Sequence, residues 1–296
     1  MKKGTVWGTI GVAVCYAAWG LLTVFWNLLD EVNPVYILSQ RIIWSMVFMA
    51  IYMLMLGKWH EIQAAFADKK ILSTCMLSGI LVTINWGVYI YAINSGHVLD
   101  ASLGYFIEPV LVGTLGVLAF KERLSRMEKI TFACAIAGVI YMVIRTRTIP
   151  VMALIIGISF AFYGAVKKQL ILTPHASLFM ETLCMTPFAL LFVLYAETHG
   201  IGGLGVLHGA QRLLLPACGI VTSVPLLLFN IGVKKNPYYI SGILMYINPT
   251  LQFFMGIFYF KEPMNQDKLV AFIIIWIGIL FTVYEKGKMI RAQKSA

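Results

Sequence analysis

The chain has 296 residues, 60% of them hydrophobic and only 12% charged, with a formal net charge of +10. A soluble domain carries about 25% charged residues, so a water-facing globular fold is excluded. The basic excess lies in short clusters between long apolar runs, which argues against a nucleic-acid surface and for a polytopic membrane protein.

A spanning helix needs about 17–25 mostly apolar residues. In chain order the sequence predicts ten of them, at roughly 5–29, 34–56, 71–93, 99–120, 128–145, 149–166, 175–194, 213–233, 238–260 and 269–284. The first run follows Lys2 and Lys3 and exceeds the ~7–15 apolar residues of a signal peptide, so it reads as a retained helix. Cys15, Cys75, Cys134, Cys184 and Cys218 stand singly inside apolar runs and read as small buried hydrophobes, not as disulfides or metal ligands.

If the N-terminus is inside, the inner segments hold 17 of the 23 Lys and Arg residues and the outer segments 5, with Arg41 inside span two. This positive-inside bias predicts a multi-pass protein of the cell (inner or plasma) membrane with both termini cytoplasmic.

"PVLVGTLGVLAFKER" from Pro109 returns as "PTLQFFMGIFYFKEP" from Pro249, an offset of 140 residues. Gly79, Ile107, Gly116, Phe120, Lys121, Glu122, Phe132 and Gly138 recur at that offset, and "YAAWG" (16–20) resembles "FAFYG" (160–164). Such a period takes precedence over other fold readings. Five spans separate the copies, an odd number, so the second copy is upside down in the bilayer. The expected fold is therefore an all-α polytopic membrane protein whose ten transmembrane helices form two inverted five-helix repeats (5+5), over 1–147 and 148–296. Inverted repeats of this kind place a substrate site near the midplane between the halves.

This layout resembles the EamA family of the drug/metabolite transporter superfamily. It shares the Pro-led fourth helix of each half and the acidic residue that closes it. "RIIWS" (41–45), "ASLGYFIEP" (101–109), "SFAFYG" (159–164) and "GIVTSVPLLLF" (219–229) are similar to its RarD branch. The resemblance covers essentially the whole chain and implies a permease for drugs, amino acids or related metabolites. The chain departs from the family pattern where Lys121-Glu122 replaces Gly-Glu, and where Glu108 stands in place of a neutral amide before the proline.

A charge at the bilayer centre costs at least about 2.5–3.5 kcal/mol, so each intramembrane charge needs a reason. Arg41 and Glu108 fall at matching depths of about 10–13 Å, at 1.5 Å per residue, which predicts a pair between helices two and four; the alternatives are gating or anion binding, and snorkelling of Arg41 to the outer interface. The repeat sets Glu181 opposite Arg41 and Asn248 opposite Glu108. Glu181 has no cation at its depth unless Lys167 or Lys168 reaches inward, so Glu181 or Glu108 is the candidate proton carrier, with Glu181 as a neutral partner of Asn248 the other reading. Met245, Asn248 and Gln252 share one helical face, as do Tyr105 with Glu108 and Asn85 with Tyr89 beside Trp86. With Ser223 and Asn230, and with Trp19 and Tyr163 at equivalent places in the two halves, these are the candidates for a substrate cavity. Pro109, Pro187, Pro225 and Pro249 are candidate kinks that free carbonyls. Glu122 and Glu262 are candidate gate contacts. The loop at 197–210, with His199 and His208 among glycines, reads as a flexible outer loop.

The sequence carries no Walker, HExxH or GxSxG pattern, so no enzyme, metal or cofactor is expected. The expected function is a secondary transporter that exports a small organic metabolite or drug-like solute by alternating access. The other reading is a non-transporting membrane assembly or sensor protein. A small solute and the lipid bilayer are the expected partners, and a monomer is favoured over a homodimer.

Overall fold

The computed structural model describes residues 3–147, 151–236, 238–261, 263 and 266–295, and every regular element among them is helical. In chain order they are α1 (Lys3–Asn27), α2 (Pro34–Met55), α3 (Trp59–Ala67), α4 (Lys69–Asn94), α5 (Val98–Phe120), α6 (Arg126–Thr146) and α7 (Val151–Gln169). There follow α8 (Pro174–Thr198), α9 (Gly203–Val206), α10 (Leu214–Lys235), α11 (Tyr238–Met245), α12 (Ile247–Phe254) and α13 (Gln266–Ser295). Eight helices are long and apolar enough to cross a membrane, and Gly104–Phe120 and Leu269–Glu285 are two shorter apolar segments.

The helix starts are written locally. Asn33 Oδ1 accepts from the Val35 and Tyr36 amides with Pro34 at the first turn, and Asp68 caps α4 in the same way. Ser125 and Glu128 cap each other's backbone at α6, and Thr173–Pro174 starts α8. At the other end, α5 closes on Lys121 at φ 54°, and its repeat twin Lys261 has φ 52°. The left-handed region is uncommon for a residue with a Cβ, so the repeat extends to backbone geometry.

The apolar face of each helix packs on other helices and not on a water-shielded core alone. α5 lies on α7, α6 on α13, α2 on α8 and α10, α1 on α10 and α12, and α4 on α7. Leu118, Leu191, Phe258 and Leu280 point outward and are exposed, which suits contact with hydrocarbon. Between α6 and α13 the contact is reciprocal. A Cβ added at Gly138 would sit 3.0 Å from the Ala271 carbonyl, and one at Gly278 3.1 Å from Thr131 Cα. Gly278 is the 140-residue twin of Gly138, and Ala271 that of Thr131.

Three features add to or change the expectations. The segment 57–70, between the second and third predicted spans, contains α3, which is tied to the α8 cap where Thr173 donates to Glu61. Span nine is one of the eight long apolar helices but is interrupted: its hydrogen bonding is broken at Tyr246, between α11 and α12, although Tyr246 keeps helical φ and ψ of −61° and −15°, and it ends in a π turn over Met255–Tyr259. Pro249 sits in the first turn after that break, where its missing N–H is not needed. Pro109, Pro187 and Pro225 lie inside continuous helices. The 197–210 loop is also partly ordered, by the end of α8, by α9 and by a 3₁₀ turn from Gly209. There His199 stacks on Tyr195 at 4.2 Å and accepts from or donates to neighbouring groups on the same helix end. Glu122 bonds Lys168 at 2.7 Å and the Tyr238 amide at 2.9 Å, joining the ends of α5, α7 and α11. Glu262 lies outside the described residues.

Candidate substrate cavity

α1 presents Trp19, Leu22 and Trp26 at i, i+3 and i+7, so all three share one face. α2 adds Arg41, α4 adds Asn85, Trp86 and Tyr89, α5 adds Tyr105, α7 adds Phe160 and α12 adds Gln252. Together they enclose a small cavity between helices from both ends of the sequence. Its free space is about 20 Å³. That is room for one water, far short of the ~300–1,000 Å³ of an organic-ligand pocket. In this conformation the cavity is too small for an organic solute.

The expected Arg41–Glu108 pair is not formed among the described residues. Arg41 instead lies against two indoles, with its guanidinium carbon 4.0 Å from the Trp86 ring centre and 4.7 Å from that of Trp26. Two desolvated cation–π contacts contribute about 2 kcal/mol each, comparable to the ~2.5–3.5 kcal/mol insertion cost of the charge. Arg41 is 3% exposed, yet its Nε and Nη1 have no hydrogen-bond acceptor. The Trp19 indole N–H, the Tyr89 hydroxyl and Gln252 Oε1 are likewise buried without partners.

Of the residues expected here, Trp19, Asn85, Trp86, Tyr89, Tyr105 and Gln252 line the cavity. Asn85 also ties α4 to α7 by donating to the Ile156 carbonyl at 2.9 Å. Glu108, Tyr163, Ser223, Asn230, Met245 and Asn248 are buried but lie outside its wall. Asn248 accepts from Gln252 at 2.8 Å and so holds a lining side chain, not Glu181. Leu22, Trp26 and Phe160 went unread. The 3-4 spacing from Trp19 would have found the first two, and the match of "FAFYG" to "YAAWG" sets Phe160 opposite Tyr16.

Glu181 lies in a second buried cluster. Its Oε1 accepts from Ser78 and Lys167, both at 2.5 Å, and from Ser177 at 3.3 Å, while Oε2 accepts from Tyr163 at 3.2 Å. Lys167, counted in the sequence as a loop charge, also donates to Ser177. It reaches inward because α7 runs on to Gln169 and buries it. Ser78 and Trp86 are eight positions apart on α4, so the two clusters are separated by about 12 Å along that helix. A layer of Ile42, Val82, Trp86, Leu178 and Met185 fills the gap and leaves no room for water.

An all-helical, multi-pass bundle with a small aromatic and polar cavity inside is the architecture of a membrane transporter. Comparison with known proteins makes the assignment. The EamA-like transporter family matches residues 6–144 and again 148–284. An uncharacterized transporter, YojE of Bacillus subtilis (strain 168), is 39% identical over 99% of this chain and 98% of its own. Protein RarD of Streptomyces exfoliatus is 32% identical over 95% of this chain and 89% of its own. Protein RarD of Escherichia coli (strain K12) is 31% identical over 96% of each chain. A solved crystal structure with 14% identity superposes with a TM-score of 0.69, covering 93% of this chain and 96% of that one, which shows a shared fold. The chain belongs to the EamA-like transporter family of the drug/metabolite transporter superfamily, in its RarD branch. It is a multi-pass transporter of the cell membrane, not an enzyme.

Proposed function

We propose that the protein is a secondary transporter that exports a small organic solute by alternating access between two inverted five-helix halves, 1–147 and 148–296. The observation that carries this reading is the cavity itself, whose wall combines α1, α2, α4 and α5 of one half with α7 and α12 of the other. Two separate family matches, the shared left-handed caps at Lys121 and Lys261, and the reciprocal α6–α13 contact all support the pairing of halves. With α5 and α13 counted at full length beside the eight long spans, the total is ten. The 17-to-5 distribution of basic residues then sets both termini in the cytoplasm.

In this reading the structure is an occluded state. The Ile42–Val82–Trp86 layer is closed on the side of Glu181, and the cavity admits a solute only when the halves rock apart. The break at Tyr246 and the π turn at Met255 in span nine give that helix a place to bend beside Gln252.

The test is an untargeted comparison of solutes in medium and cytosol for cells overproducing wild type or a Tyr89→Phe/Gln252→Ala variant at equal membrane abundance. Export predicts a solute that moves outward with wild type only. A solute that accumulates inside reverses the direction, and no movement with either protein removes the transport reading of this cavity.

A further inference from the structure

The repeat puts a charged residue at the same place in each half, Arg41 on α2 and Glu181 on α8, 140 residues apart. The two are treated differently. Glu181 is satisfied by Lys167, Ser78, Ser177 and Tyr163. Arg41 is as deeply buried, yet no acidic side chain pairs with it among the described residues, and two of its nitrogens lack any acceptor. Buried polar groups in folded proteins are nearly always hydrogen-bonded, so an orphaned guanidinium facing a cavity marks a missing partner. The other unpartnered groups in the same wall are mostly donors, the Trp19 indole N–H and the Tyr89 hydroxyl.

Resting on the reading of this cavity as the solute site, we infer that Arg41 is the recognition cation for a carboxylate-bearing solute with a flat, apolar body. The guanidinium carbon lies 4.7 and 4.0 Å from the Trp26 and Trp86 ring centres, and Nε and Nη1 have no acceptor, so the cation keeps charge-assisted donors for a carboxylate. Trp19, Tyr105 and Phe160 supply the apolar surface on which the body stacks. Glu108, which would repel an anion, does not line the cavity. The carboxylate supplies the counter-charge that Lys167 supplies to Glu181, so occupancy and closure reinforce each other.

The test uses the full-length protein in detergent and two probes of one shape, phenylacetate and phenylacetamide. Binding is read from the thermal midpoint, which a ligand of the folded state raises with the logarithm of its concentration above Kd. The expected result is that phenylacetate reaches a given shift at a concentration about tenfold or more below that of the amide, the size of a charge-assisted hydrogen bond. Arg41→Gln is expected to abolish that preference and Arg41→Lys to keep part of it. Tyr89→Phe removes one unpaired donor at nearly unchanged side-chain volume, Trp19→Phe removes another while also widening the wall, and both are expected to weaken phenylacetate several-fold more than the amide. These two variants decide the question if Arg41→Gln does not fold. Equal stabilisation by both probes, no stabilisation by phenylacetate, or sodium chloride acting as tightly as phenylacetate overturns the inference. So does full phenylacetate affinity in the variants. The outcome is separable from the export test. A neutral or cationic exported solute defeats the carboxylate assignment and leaves transport standing, whereas phenylacetate binding with no solute movement does the reverse.

Discussion

Lys167 Nζ lies 2.5 Å from Glu181 Oε1, and the two side chains are only 2% and 1% exposed. The carboxylate has further donors in Ser78, Ser177 and Tyr163, so this buried pair is fully satisfied. Removing one member of a buried pair leaves a bare charge, which costs far more than removing both.

Lys167→Met is therefore expected to destabilise the fold by about 3–5 kcal/mol, and Lys167→Met/Glu181→Gln to recover most of that loss. Thermal unfolding in a single detergent measures both. A double variant no more stable than the single one would show that the pair is not the energetic unit.

Gly79 and Gly219 are repeat twins that seat α4 on α8 and α10 on α2. A Cβ at Gly79 would lie 3.0 Å from the Glu181 carbonyl, while at Gly219 it would run into the Trp44 carbonyl itself. Overpacking costs about 1–3 kcal/mol, and backbone yields less than a side chain. Gly219→Ala should fall at or above the top of that range and Gly79→Ala near the bottom. The order of their unfolding midpoints is the readout.

Lys121 and Lys261 hold left-handed φ values of 54° and 52° at helix ends. A side chain there carries a penalty of about 1–2 kcal/mol, which glycine escapes at some expense in unfolded-chain entropy. Lys121→Gly and Lys261→Gly are each expected to stabilise by about 0.5–1 kcal/mol. The two sites are far apart, so the double variant should show the sum.

At the ends of α6 and α13, Arg145 Nε donates to Asp267 at 2.8 Å and Tyr141 donates to the same oxygen at 3.1 Å. The Arg145 hydrogen bond holds the Asp267 carboxyl below its ordinary range. A depressed carboxyl contributes stability that is present above the unfolded value of about 3.9 and is lost as pH falls through the lower folded value. The contribution is small because Arg145 is exposed. Wild type should lose slightly more stability than Asp267→Asn on the acid side, and high salt should remove the difference.

How much of this was written in the chain differs from feature to feature. The helices were legible because apolar runs of spanning length and caps such as Asn33–Pro34 and Ser125/Glu128 are local signals. The interruption at Tyr246 was legible only in part: Pro249 marked a candidate kink, since it offers no N–H to the Met245 carbonyl, whereas the π turn at Met255 had no such local signal. Four cavity residues, Asn85, Tyr89, Tyr105 and Gln252, were found from shared helical faces, since the 3.6-residue period fixes which side chains lie side by side on one helix; Trp86 stood beside Asn85, and Trp19 came from its equivalence with Tyr163. Leu22 and Trp26 stood on the same α1 face as Trp19, whereas Phe160 needed the contact between α1 and α7.

The sequence by itself determined the class of protein, the repeat and the equivalence of Arg41 with Glu181, because hydropathy and self-similarity are properties of the chain. Only the tertiary structure decided their partners. Equal depth made Arg41 and Glu108 plausible neighbours, but which side chains meet depends on how each helix is rotated about its own axis. Packing sets that rotation, and it turned Arg41 toward two tryptophans and gave Glu181 the lysine that the charge count had left in a loop.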